Sequence, residues 1–117
     1  MAITIVQNLT ASPNPTTIPK RVEFRQTLRS TLPSKTITMF YSLEPEHNIW
    51  FENADGQLVK QLSRQETIGQ APQVSVDRLK LVTGAGVGPQ LTVEVAQAIR
   101  DSQGQVIADL CVVQIAS

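Results

Sequence analysis

A two-residue rhythm of apolar and polar side chains, cut by proline and glycine, limits this chain to extended structure. Over residues 22–28, Val22, Phe24 and Leu28 share one parity, while Glu23, Arg25 and Thr27 take the other. Over residues 35–43, Ile37, Met39, Tyr41 and Leu43 alternate with Thr36, Thr38 and Ser42. Successive side chains of a strand point to opposite faces, so each run reads as a strand buried on one side. Ahead of the first run, Leu9-Thr10-Ala11 leads into Ser12-Pro13-Asn14-Pro15. Each proline fixes φ and removes a backbone donor, so neither fits a central ladder, and Asn14 between them suits a turn.

The same reading extends along the chain. Residues 3–6 and 9–11 form one interrupted edge strand, and Thr31-Leu32-Pro33-Ser34 is a turn. Phe40 breaks the parity of its strand and points to a second apolar environment. A polar loop at 44–48 precedes the bulky strand Ile49-Trp50-Phe51. Asn53-Ala54-Asp55-Gly56 is a hairpin signal, because Asp-Gly supplies the positive φ of a tight turn. Residues 57–62 are expected to return antiparallel, 63–73 to form a polar loop with one helical turn, and 74–82 to form a strand. Gly84-Ala85-Gly86-Val87-Gly88-Pro89 is a connection. Residues 91–99 and 105–115 read as a long hairpin around Asp101-Ser102-Gln103-Gly104. Leu91, Val95, Ala98 and Ile99 also lie at helical spacing, and Pro89 suits a first helical position. The β-branched Thr92, Val93 and Val95 favour the strand. The expected core is Val22, Phe24, Ile37, Met39, Tyr41, Val93, Val95 and Leu110.

The 117 residues suit a single domain, residues 1–117. A chain of this size buries roughly two-thirds of its unfolded surface, enough for a core without disulfides or metal. Charged residues are only 17%, and ten basic residues balance ten acidic ones. No single-sign field attracts nucleic acid or an anionic membrane, so neither is expected as a partner. Lys20, Arg21, Arg25 and Arg29 are interrupted by Glu23 and read as a solvated strand face. No apolar run is long enough to insert into a membrane. The first residues lack a basic leader pattern, so a cytoplasmic location or leaderless export is expected.

Little in the chain points to chemistry. Cys111 is the single cysteine, set in an apolar run, and reads as a buried small hydrophobe. His47 is the single histidine, whereas zinc and copper sites take several His or Cys ligands. Asn53, Asp55 and Gln57 have some of the spacing of a calcium loop but lack the rest of it. Ser–His–Asp chemistry would have to use His47, and no serine sits in a nucleophile elbow. Glu44 and Glu46 are paired carboxylates on a loop with no sign of a pocket to tune them. The glycines at 84–88 are not followed by the Lys-Ser/Thr of a phosphate loop. No catalytic residue, metal or cofactor is expected.

Binding surfaces remain. Ile49, Trp50 and Phe51 cannot all face one core from a strand, so one parity needs a second contact. These three and Phe40 are the candidate binding residues; a core-packed Trp50 is the alternative. The run Leu110-Cys111-Val112-Val113 adds to a second apolar surface. A non-enzymatic structural or interaction module is expected, binding a protein partner or forming a homo-oligomer. The edge at residues 3–6 has no charge to guard it from pairing before Lys20. The runner-up is a carbohydrate-binding module, with Trp50 and the 44–48 loop as a sugar platform.

The opening, residues 9–15 followed by Val22, Phe24 and Leu28, resembles the bacterial Ig-like domain repeats of large surface and adhesive proteins. The resemblance implies an all-β immunoglobulin-like β-sandwich. The order of strand and turn signals independently suits about seven to nine antiparallel strands in such a sandwich.

Overall fold

The computed structural model describes residues 3–17, 20–83 and 92–115. They form an antiparallel β-sandwich with strands β1 (Ile3–Ser12), β2 (Lys20–Ser30), β3 (Lys35–Ser42), β4 (Ile49–Glu52), β5 (Leu58–Val59), β6 (Gln61–Ile68), β7 (Gln73–Thr83), β8 (Thr92–Asp101) and β9 (Val106–Gln114). One sheet has the order β1-β2-β7-β4-β5 and the other β6-β3-β8-β9. In spatial order, β1-β2-β7-β4 parallels the A-B-E-D sheet and β6-β3-β8-β9 the C′-C-F-G sheet of an immunoglobulin sandwich, with β5 an added edge strand. The chain reaches them by its own route. After β3 it crosses to the five-stranded sheet for the β4–β5 hairpin, returns for β6, then crosses again to β7.

The period-two pattern sorts the side chains as expected. Val22, Phe24 and Leu28 of β2 face Ile37, Met39 and Tyr41 of β3, with Val93, Val95 and Ile99 of β8 beside them, all buried. The Phe24 and Tyr41 rings meet with centroids 6.0 Å apart. Residues 92–101 are a strand throughout, so the β-branched side chains prevail over the helical spacing. Cys111 is a buried free thiol whose pKa is raised by burial and then by the nearby Asp109 carboxylate. Arg21, Arg25 and Arg29 lie exposed on the outer side of β2. Glu23 there binds Arg25 at 2.8 Å and Arg78 of β7 at 3.1 Å.

The proline turn moves the chain from one sheet to the other. Both of its X-Pro bonds, Ser12-Pro13 and Asn14-Pro15, are cis. Asn14 Nδ2 donates to the Val112 carbonyl at 2.9 Å, and the Gln114 N–H donates to Asn14 Oδ1 at 2.8 Å. One step on, the Thr16 N–H donates to the Gln114 carbonyl at 2.8 Å. The segment after β1 thus pairs with β9 of the opposite sheet. The two Gly turns are equally specific. Gly56 and Gly104 have φ of 79° and 83°. Asn53 Oδ1 accepts from the Asp55 and Gln57 N–H groups, and Asp101 Oδ1 from those of Gln103 and Gln105.

Three expectations are corrected. Leu110 is 48% exposed and does not belong to the core. The inward parity of β9 falls on Ile107, Asp109, Cys111 and Val113, so Leu110 points outward. Residues 63–68, expected to be part of a loop with a helical turn, belong instead to the strand β6. Their inward positions include Arg64 and Glu66, which hide the apolar alternation. Inward charges are a common device on an edge strand such as β6. Finally, only Leu58 and Val59 return on β4; from Gln61 the chain has joined the other sheet. The glycine-rich connection at 84–89 and Leu91 lie outside the described residues.

Candidate functional site

The outer face of the β6-β3-β8-β9 sheet is the most distinctive surface of the molecule. On β9, Val106, Leu110 and Val112 point outward, 48%, 48% and 41% exposed. Opposite them on β8 stand Arg100, Ala96 and Glu94, and Ala98 pairs with Ala108. Beyond β8, Phe40 of β3 pairs with Ala98 and Ser42 with Ala96. The result is an apolar stripe beside a floor of alanines. The floor is the base of an open hollow of about 420 Å³, walled by Phe40 and Arg100. The Arg100 guanidinium lies 5.4 Å from the Phe40 ring centroid. Other exposed apolar side chains, such as Val6, Leu32 and Val74, lie on separate elements.

The four candidate binding residues do not form one patch. Phe40 is half-buried on this outer face. Trp50 is half-buried on the outer side of β4, which belongs to the opposite sheet. Ile49 and Phe51 are fully buried, so they are core residues and not contact residues. In a strand whose inner face fills the core, the two like-parity residues go inward and the middle one goes out.

One face of the Trp50 ring is occupied by a cation. The Lys60 ammonium sits 4.2 Å from its ring centroid, and the indole N–H donates to Asn48 Oδ1 at 3.4 Å. Lys60 Nζ also donates to the carbonyls of Glu44, His47 and Ile49. That lysine ties the 44–48 loop onto the indole and occupies one face of its ring. In the loop, His47 Nε2 lies 3.3 Å from Glu44 Oε2. Glu44, Glu46 and His47 can each bring one ligand atom within 4.8 Å of the others. Two carboxylates and one imidazole fall short of a four-ligand structural zinc site. Desolvation, followed by a hydrogen bond to Glu94 of β8, holds the Glu44 carboxyl above its usual range.

Sequence reasoning missed a polar layer that crosses the core. The Leu9 N–H donates to Asp109 Oδ2 at 2.7 Å, and Gln26 Nε2 donates to the same oxygen at 3.1 Å. Gln26 and Gln97 exchange amide hydrogen bonds of 2.6 and 2.8 Å between the sheets. Gln97 Nε2 also lies 3.3 Å from the Tyr41 hydroxyl, which donates to Asp77 Oδ2 at 2.6 Å. Arg64 Nε donates to Asp77 Oδ1, and Arg64 Nη2 donates to Ser75 Oγ at 2.7 Å. Gln26, Tyr41, Ser75 and Gln97 are each 2% exposed, so these links replace water rather than supplement it. The layer ends beside a cleft of about 150 Å³ lined by Leu62, Arg64, Asp77 and Leu79. The signal in the sequence was Gln26 at the parity of Val22, Phe24 and Leu28, with Asp77 and Gln97 similarly placed.

The layer makes stability alkali-sensitive. Burial first, then the Asp77 carboxylate, pushes the Tyr41 phenol well above its ordinary pKa. Above about pH 10 the unfolded chain loses this proton while the folded chain keeps it, so stability falls as pH rises, by up to about 1.4 kcal/mol per pH unit. Urea unfolding between about pH 9 and pH 11 should show this slope. Tyr41→Phe should flatten it by the equivalent of one proton; an unchanged slope in that variant would refute the assignment.

No protein-family model and no curated protein matches the chain. Among solved structures it is similar to a DUF4466 family protein from Parabacteroides merdae, with a TM-score of 0.48 and 11% identity. That match covers 90% of this chain and 43% of the other, so this chain spans less than half of that protein's length. At this identity and score nothing is carried over from it.

Proposed function

We propose that this domain is a non-enzymatic interaction or structural module that self-associates or docks on a partner protein through the outer face of β6-β3-β8-β9. One observation carries the reading: Val106, Leu110 and Val112 form a continuous exposed apolar stripe on an edge strand, next to Ala96, Ala98, Ala108 and Phe40. Isolated exposed hydrophobics are ordinary, whereas a contiguous patch marks a surface that meets another macromolecule. Charged residues are also depleted at interface centres. Of the outward positions on these four strands, only Glu94 and Arg100 are charged.

A test follows at the middle of the stripe. Leu110→Asp places a carboxylate where a partner would exclude water, yet leaves the core untouched. Association measured by light scattering after size exclusion should weaken at least about tenfold, with unfolding unchanged within about 0.5 kcal/mol. Association that survives Leu110→Asp would rule out this face as the contact surface.

A further inference from the structure

The lone acid and lone base of this face have a symmetry of their own. Read outward along β8, the face presents Thr92, Glu94, Ala96, Ala98 and Arg100. Glu94 and Arg100 are equidistant from Gln97 and lie ~20 Å apart at the rise of an extended strand. Among the described residues neither has an ion-pair partner of opposite sign. Arg100 lies against Phe40, and Glu94 lies against another carboxyl, Glu44. Arg100 at one end of the strand and Glu94 at the other thus each lack an opposite charge among the described residues, and the two are opposite in sign.

We infer that the partner is a second copy of this chain, packed face to face about a two-fold axis that crosses β8 at Gln97, so that Arg100 of each copy meets Glu94 of the other. This rests on the proposed use of the face. The axis runs in the plane of contact, across the strands, so β8 lies antiparallel over its counterpart. Sheets packed face to face keep their strands within about 30° and stand about 10 Å apart, and this arrangement satisfies both.

The neighbouring strands fit the same axis. The ladder pairs Ala96 with Leu110 and Ala98 with Ala108, so the axis sets Leu110 of one copy over Ala108 of the other. Val106, level with Arg100, meets Val112, level with Glu94. On β3, Phe40 is level with Ala98 and Ser42 with Ala96, so Phe40 meets the other copy's Ser42. Leu110 and Phe40 are thereby each set over a small side chain, Val106 packs on Val112, and the alanine-floored hollow receives Leu110. The other in-plane axis, parallel to the strands, lacks this match. It stacks Glu94 on Glu94 and Arg100 on Arg100, which costs like-charge repulsion at both ends. An isologous contact of this kind closes after two copies.

The charges supply a test that does not depend on the core. Glu94→Arg and Arg100→Glu each put like charges at both pairs of the homodimer, whereas the double exchange restores them. Sedimentation equilibrium from about 10 µM to about 1 mM should find a wild-type dimer, with each single variant weakened at least about tenfold and the double variant within about threefold of wild type. Mixed in equal amounts, the two single variants should form a heterodimer, because one then carries both bases and the other both acids. Thermal unfolding of each variant monitors its fold. A wild-type dimer abolished by Leu110→Asp but indifferent to the charge exchanges would overturn the two-fold arrangement while sparing the face. A wild type that stays monomeric at the highest concentration would overturn this inference, and a dimer indifferent to Leu110→Asp as well would overturn both.

Discussion

Asp77→Ala should lower unfolding stability by about 2–4 kcal/mol. Asp77 is 8% exposed and joins the sheets twice, accepting from Tyr41 of β3 and from Arg64 of β6. Removing one member of a buried ion pair costs about 3–5 kcal/mol, because the other is left without a partner. The Arg64 side chain is 32% exposed and regains some water, which reduces that figure. Tyr41 has no such relief: at 2% exposure its hydroxyl keeps only the 3.3 Å approach of Gln97. Urea unfolding with an unchanged m-value measures the loss. A change under about 1 kcal/mol would show that the layer contributes little to stability in solution.

The Gln26–Gln97 pair should behave as a coupled unit. Gln97→Leu removes one side of a reciprocal amide pair and leaves the Gln26 amide buried with one of its bonds to Gln97 unreplaced on each atom. It should cost about 2–3 kcal/mol, and Gln26→Leu a similar amount. The double variant replaces the pair by apolar groups of comparable size. The Asp109 carboxylate still accepts from the Leu9 N–H, and Tyr41 still donates to Asp77. The double variant should therefore cost less than about 1 kcal/mol, a coupling far from additive. Additive losses in a double-mutant cycle would mean that the two amides do not satisfy one another.

The inner face of β2, β3 and β8 was legible because Val22, Phe24, Ile37, Met39, Val93 and Val95 report their own burial by hydrophobicity. Gln26, Asp77 and Gln97 lie equally deep, but a polar side chain in a strand reads as outward until its partner is known. The partners are remote: Gln97 is 71 residues from Gln26, and Asp77 is 36 from Tyr41. The same limit hid β6. Its inward Arg64 is answered by Asp77 of the other sheet, so its polarity resembled that of a loop. The candidate surface was half legible. Phe40 signalled it by breaking parity, and the apolar run at 110–113 signalled it by having none. Which members of that run faced out depended on the register of β9 against β8.

By itself the sequence determined the class of structure and most of its core. Alternation with period two, prolines without a ladder donor and glycines at positive φ are local physics and need no distant partner. The tertiary structure alone decided which sheet each strand joined, which bulky residue of Ile49-Trp50-Phe51 faced outward, and which polar groups met in the interior. A strand shifted by one residue exchanges its two faces, and a buried amide or carboxylate is tolerable only opposite its own complement. Both conditions are set by pairing between segments far apart in the chain.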